Sequence, residues 1–560
     1  MKFGRLAVVV GVGVWGSLTA GCAIDSVTYK PEAPTVPQLR LPRNDVYEGS
    51  VITGQLRPRF VWEPSTLSRG EITYELEYSP DGAFGENVET VQLSATEFQP
   101  ADALPVSTTP PVGRRYYWRV RACAKTTCSD YSPTWWVNLG RSEKDFNGDG
   151  YADVVVGSHT NLQNSQLQGR AYVYFGGPGA TFHYEHDGLL TNLSTESWFG
   201  YAVSTAGDVN GDGFADILVG APKEGLRGAL SGSAYLYLGR AGNVFNVRPD
   251  LVIAGEAAMG LTGFSVASAG DLNMDGYSDM LISSPYAGKG VVEIYYGGPV
   301  LDAVPDGTLS GDPAEEKFGL MVATAGDVNG DGYSDAIVNV SGYGGGSAQM
   351  SCVSYLYFGR PGTLDGAPRD QEIKGLSNER CNIMAQTAGD VNGDGFSDVV
   401  ARVHDQLEGG RVYLGTPKGI GQIDTSYNLA SGHSSRQASP LGDVNGDGAD
   451  DIGLVDVVNG NATAVVYLGR LGATSEVLVG APAAVLNQGT GTAPGYVMRR
   501  AGDLNGDGYE DFVIADPSYS ESSGRVDVYF GNAGGSLDPA PDGQLSSPLG
   551  RLTYFGESAD

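Results

Sequence analysis

Basic residues are scarce in this 560-residue chain: 35 Lys and Arg stand against 66 Asp and Glu, a formal net charge of −31. Nucleic acid and anionic lipid surfaces both require basic patches, so this charge balance excludes them as electrostatic partners. Charged residues make up only 18% of the chain while 83 are Gly, which disfavours long solvated helices and favours short strands joined by tight turns. Histidine and cysteine number five each. The one His cluster, His183-Tyr184-Glu185-His186, has no helical period to bring both rings to one face and reads as a solvated loop. No Gly-x-Ser-x-Gly elbow, phosphate loop or carboxylate pair occurs outside the acidic repeats described below, so no catalysis is expected. Past the N-terminus nothing approaches 18 consecutive apolar residues, which excludes a spanning helix from the rest of the chain.

What is present begins with a basic start, Met1 to Arg5, an apolar stretch from Leu6 to Trp15, and Leu18-Thr19-Ala20-Gly21-Cys22. The pattern is that of a secretory signal. The pentapeptide resembles the bacterial lipobox, and the resemblance implies removal of residues 1–21, acylation of Cys22, and an exported protein anchored by lipid at the outer membrane or cell surface of a bacterium. Residues 22–43 contain several prolines and read as an extended spacer. Four cysteines then remain in an oxidising compartment, and three pairings are open to them. Cys123 with Cys128 is the local pair, which leaves Cys352 with Cys381; free buried thiols are the alternative.

From about residue 44 to 140 the apolar residues alternate with period two, as in Phe60-Val61-Trp62, Ile72 to Tyr78 and Tyr116 to Ala122, with Pro/Gly/Ser-rich breaks between. About 100 residues of this predict a small β-sandwich. Trp62 as a core Trp, Tyr116 at a tyrosine corner and Ser129-Asp130-Tyr131-Ser132-Pro133 leading into a last strand resemble a fibronectin type III domain.

Residues 141–560 are dominated by a repeat. The nonapeptide D-x-N-x-D-G-x-x-D starts at Asp145, Asp208, Asp271, Asp327, Asp390, Asp443 and Asp503, at intervals of 63, 63, 56, 63, 53 and 60 residues. Oxygen donors at positions 1, 3, 5 and 9, with a main-chain carbonyl at 7, suit a hard cation, and Gly at 6 permits the sharp turn. The ligand sets are Asp145, Asn147, Asp149, Tyr151 and Asp153 in the first loop, Asp208, Asn210, Asp212, Phe214 and Asp216 in the second, and Asp271, Asn273, Asp275, Tyr277 and Asp279 in the third. The fourth has Asp327, Asn329, Asp331, Tyr333 and Asp335, and the fifth Asp390, Asn392, Asp394, Phe396 and Asp398. Asp443, Asn445, Asp447, Ala449 and Asp451 form the sixth, and Asp503, Asn505, Asp507, Tyr509 and Asp511 the seventh. With no His or Cys in the motif, Ca²⁺ is the expected ion, up to seven of them, offsetting 14 of the 31 excess negative charges. Two loops depart from the pattern: Met274 replaces Gly in the third, and Ala449-Asp450 replaces an aromatic and a small residue in the sixth.

Each unit adds a small strand ahead of the loop (Phe199 to Val203, Phe318 to Val322), an apolar run after it (Ile217 to Pro222) and an aromatic-rich strand further on (Ala171 to Gly176, Ala234 to Gly239, Val526 to Gly531). Several short strands per unit without helical period predict one propeller blade each, seven in all. The first loop lacks a Phe-Gly strand ahead of it and the chain ends on Tyr554-Phe555-Gly556-Glu557, so the last strand is placed to complete the first blade.

The Phe-Gly strand, the acidic loop and Gly220-Ala221-Pro222 together resemble FG-GAP repeats, the blades of the integrin α-chain propeller. The resemblance implies an all-β, seven-bladed, calcium-binding β-propeller behind a fibronectin type III-like sandwich, acting in cell-surface recognition of a protein or glycan. Gly225–Ser231, Gly342–Ser351 and Asn487–Gly495 are the candidate binding loops. Two other readings are a propeller that accompanies a polysaccharide lyase or phospholipase, and an envelope scaffold without a ligand.

Overall fold

The structure is a computed structural model; it describes residues 33–560 apart from interruptions, the longest at 180–184, 243–247, 312–316, 342–351, 375–382, 404–408, 487–496 and 547–554. The signal segment and Cys22, His183, Cys381 and the loops expected at 342–351 and 487–495 therefore lie outside the described residues. Every named element is a β-strand, and no helix is long and apolar enough to cross a membrane among the described residues.

The N-terminal unit packs a three-stranded sheet (Leu39–Leu41, Phe60–Trp62, Glu97–Phe98) against a second sheet whose long members are Thr73–Ser79 and Arg114–Ala124. Alternation along Arg114–Ala124 sends Tyr116, Trp118, Val120 and Ala122 inward to meet Phe60, Trp62, Tyr74 and Leu76. The Trp62 ring lies edge-on to Tyr74, and Tyr116 Oη donates to Pro105 O over 2.7 Å. Cys123 and Cys128 are disulfide-bonded across neighbouring strands. Residues 33–43 are not a free spacer. Thr35 N donates to Thr66 O, Glu63 N donates to Gln38 O, and Leu39–Leu41 pairs with Phe60–Trp62, so the sandwich begins ahead of residue 44. The expected boundary failed because proline-rich sequence lying along a sheet edge needs few N–H donors and looks like linker.

The rest of the described chain forms seven antiparallel sheets in sequence order, six of four strands and a first of three (Val154–Ser158, Arg170–Tyr174, Gly188–Leu190), besides a two-stranded hairpin. The chain end supplements the first sheet: Val155 and Asp560 exchange both backbone hydrogen bonds, and Gly157 N donates to Ser558 O. An apolar cluster lies between each sheet and the next. Val155, Val173, Val203 and Ile217 join the first to the second, and Val154, Tyr172, Val513, Val526 and Phe555 join the seventh to the first. The remaining five interfaces have their own clusters. Because both faces of each central strand are covered, Asp216–Ala221 and Asp279–Ser284 are buried throughout instead of alternating.

Two glycines set the spacing between sheets. Gly263 N donates to Ser283 O, and a Cβ placed on Gly220 would fall inside the contact radius of Gly263 O. Gly220→Ala is accordingly expected to cost about 3 kcal/mol, since backbone cannot step aside as a side chain can. Gly298→Ala, where a Cβ meets nothing within 4 Å, should change stability by less than about 0.5 kcal/mol. Urea midpoints of the two variants check the contrast.

Candidate metal loops and the two faces around them

From the second sheet on, each acidic nonapeptide is the hairpin between the first two strands of its sheet, and the first nonapeptide leads into Val154–Ser158. In the second, Asp212 N donates to Asp208 Oδ1 and Asn210 Oδ1, each at 2.9 Å, Gly213 N donates to Asp208 Oδ2 at 2.8 Å, and Phe214 N donates to Asp212 Oδ1 at 3.1 Å. The position-6 to position-1 bond recurs in all seven loops. So does a pair of bonds to the position-9 Asp, one from the backbone N–H of position 2 and one from the Gly N–H just past the strand that pairs with the one following the loop. Positions 4 and 6 are left-handed throughout, as at Gly211 (φ 72°) and Gly213 (φ 95°). Met274 takes the same conformation at φ 59°, so the third loop keeps its shape with a strained residue in place of glycine.

The position-9 carboxylates Asp153, Asp216, Asp279, Asp335, Asp398, Asp451 and Asp511 are fully buried. Burial first, with the neighbouring position-1 charge adding to it, pushes each well above the ordinary carboxylate range, to about 9 for Asp335 and about 8 for Asp511. Burial also raises the position-1 groups, to about 6 for Asp145, Asp208 and Asp443, about 7 for Asp327 and about 8 for Asp390. Carboxylates held together in such surroundings take up protons or a cation, and the all-oxygen donor set fits a hard divalent ion. In this structure the position-5 Asp turns to its own Asn side chain and to the position-7 N–H, and no group of three Asp, Glu, His or Cys side chains converges among the described residues.

The loops are tied to one another. The position-8 N–H of each donates to the position-1 carbonyl of the loop before it: Ala215 to Asp145, Ser278 to Asp208, Ser334 to Asp271, Ser397 to Asp327, Asp450 to Asp390 and Glu510 to Asp443. Ala152 of the first loop donates to Asp503 O of the seventh, which returns the chain of bonds to its start. The position-4 glycines fit under the position-7 rings of the next loop, Gly211 under Tyr277, Gly330 under Phe396, Gly446 under Tyr509 and Gly506 under Tyr151. Where the sixth loop has Ala449, Leu471 stands against Gly393 instead of an aromatic ring.

The N-terminal sandwich sits on this loop face. Val112 N donates to Gly211 O at 2.8 Å, Arg115 to Gly332 O at 2.8 Å, Asn44 to Gly395 O at 2.6 Å, and Arg141 to Gly276 O. Arg43 reaches furthest in, pairing with Asp450 and lying 3.7 Å from Glu510. These two acids occupy position 8, where the first five loops carry Ala or Ser. Asp450 also accepts from Asp390 N through its other oxygen. The departure in the sixth loop thus has a purpose that nothing in the repeat itself reveals.

At the opposite ends of the first strands the chain presents aromatics. Trp198 stacks on Tyr201 (5.4 Å), Tyr201 meets Phe264 (5.1 Å), and Phe264 meets Tyr286 (6.0 Å). Lys223 Nζ stands 3.4 Å above the Trp198 ring, and Tyr286 is exposed. Trp198, Leu261 and Lys317, all left-handed, shape the turns here. His186, from the cluster read as a solvated loop, packs edge-on to Tyr172.

Residues 145–174, 199–237, 262–300 and 500–529 match the FG-GAP repeat family, and 390–454 match the FG-GAP-like repeat. Integrin alpha-5 of Xenopus laevis is 36% identical over 188 residues, covering 31% of this chain and 17% of that protein. Integrin alpha-V of Gallus gallus is 32% identical over 211 residues, covering 35% of this chain and 19% of that one. The chain therefore spans less than a fifth of the length of these relatives. Among solved structures, exotype rhamnogalacturonan lyase YesX aligns over 90% of this chain and 91% of its own at 12% identity and a TM-score of 0.32. The chain, whose named elements among the described residues are all β-strands, carries FG-GAP repeats homologous to those of integrin α chains.

Proposed function

We propose that this chain is a calcium-binding recognition protein without catalytic activity: a closed seven-bladed β-propeller, capped by a fibronectin type III-like sandwich, which takes a protein or glycan on the face away from the acidic loops. Export and anchoring through a lipid on Cys22, at the outer membrane or cell surface of a bacterium, belong to the same reading. The observation that carries it is the contrast between the two faces. The acidic-loop face is covered by the chain's own sandwich, while the other face carries a row of aromatics, Trp198, Tyr201 and Phe264 half-buried and Tyr286 exposed, beside Lys223. Aromatic planes flanked by polar groups contribute large contact area at low entropic cost. The loop-to-loop hydrogen bonds running through all seven repeats and the apolar cluster between the seventh and first sheets support closure.

The test is capture of defined glycans and purified surface proteins by the immobilised full chain in millimolar calcium. Trp198→Ala combined with Tyr201→Ala is expected to weaken capture at least tenfold with little change in melting temperature. Equal capture by wild type and the double variant would place recognition elsewhere, and turnover of a captured glycan would favour a lyase-associated role.

A further inference from the structure

The first strands of the sheets surround a cavity of about 380 Å³. Its lining runs from Tyr201, Ser265, Met321 and Val497 at the aromatic face to Arg43–Tyr47 and Glu143–Lys144, which stopper the loop-face end. The repeats make its wall nearly uniform. Four residues before the first Asp of the acidic loop, the second to sixth repeats carry Ser204, Ala267, Ala323, Gln386 and Ser439, all small or neutral. The seventh carries Arg499.

That guanidinium has no close counter-charge among the described residues. Its Nη1 donates to Ser439 Oγ at 3.2 Å and to Met498 O at 2.9 Å, and it forms no salt bridge with any described residue. The other cations along the cavity are paired: Arg43 with Asp450, Lys144 with Asp560, and Arg500 with Glu510 and Glu143. Asp560, the acid that acts on Arg499, already accepts from Lys144, Ser204 Oγ and Thr205 N. Burial lowers the pKa of Arg499, the direction expected of a cation lacking a close counter-charge. A half-buried charge without a close counter-ion is a standing cost to the fold, tolerated where a ligand supplies the missing partner. The volume lies in the range of small-molecule sites.

We propose that the central cavity is a binding site for a small organic carboxylate, held by Arg499 with Ser439 orienting the guanidinium. The ligand enters from the aromatic face, since the other end is stoppered. This site is independent of whatever the aromatic row binds.

Succinate is the probe, with succinamide as its uncharged counterpart, both titrated to 20 mM at constant ionic strength into the full chain in calcium. Succinate is expected to raise the wild-type melting temperature by several degrees where succinamide does not. Arg499→Gln should abolish the difference, weakening succinate at least tenfold, and melt no lower than wild type when neither compound is present. Arg499→Lys, which keeps the charge, should retain part of the response, and Arg240→Gln, in the exposed pair with Asp250, all of it. Equal responses to succinate and succinamide in wild type, or an undiminished succinate response in Arg499→Gln, would overturn the proposal.

Discussion

Removing calcium with EGTA is expected to lower the melting temperature of the full chain by about 15 °C or more. A site loaded at a hundred times its dissociation constant adds about 2.7 kcal/mol, and seven such sites act on one cooperative set of sheets, so the effect is large even if occupancy is uneven. The same experiment has a pH signature. In the stripped protein the buried position-9 carboxylates titrate far above the unfolded Asp value of about 3.9, with Asp511 near 8 and Asp335 near 9. Between those limits the folded state binds more protons than the unfolded state, so stability falls as pH rises. Stripped protein should therefore melt higher at pH 5 than at pH 8. With calcium bound the carboxylates are held deprotonated by the ion, and the trend should flatten or reverse. Melting curves at the two pH values, with calcium and with EGTA, settle it; a calcium-independent melting temperature would sink the metal assignment.

Arg43→Ala is expected to destabilise the protein by about 3 kcal/mol and to expose the connection around residues 140–144 to protease. Arg43 is largely buried between Asp450 and Glu510, and its removal leaves buried carboxylates without their cation. Arg500 remains beside Glu510, with Nε and Nη2 at 2.8 Å from its two oxygens, so Asp450 is the acid left most in need. Adding Asp450→Asn should recover part of the loss, because Asn keeps an oxygen for Asp390 N while dropping the orphaned charge. Urea midpoints for the two single variants and the double, with limited proteolysis alongside, measure the coupling. Strict additivity would mean that the ion pair does not hold the sandwich in place.

How much of this was legible in the sequence depends on the separation of the groups involved. The acidic loop is a local object. Its donors and acceptors lie within nine residues, apart from one Gly N–H that follows a neighbouring strand, and the periodicity of Asp, Asn and Gly therefore announced its shape. The short local disulfide of Cys123 and Cys128 was legible for the same reason. Met274 stood out as a departure, but only backbone geometry tells that it adopts the glycine conformation. Asp450 likewise stood out, yet its partner Arg43 lies 407 residues away, beyond the reach of any pattern. Arg499 could have been found by aligning the seven repeats on their first Asp, because it breaks a neutral column; what the column surrounds could not.

The sequence by itself determined the repeat, the acidic loops, the strand character of each unit and the presence of a separate sandwich, since all of these rest on local hydrogen bonding and on period-two burial. Tertiary structure alone decided that the sandwich covers the loop face, that a row of aromatics lies on the other, and that Arg499 faces a cavity without a close counter-charge among the described residues. Those outcomes depend on which surfaces desolvate against each other. Such packing is fixed by contacts between residues hundreds of positions apart, as with Asn44 and Gly395, and leaves no periodic trace in either partner.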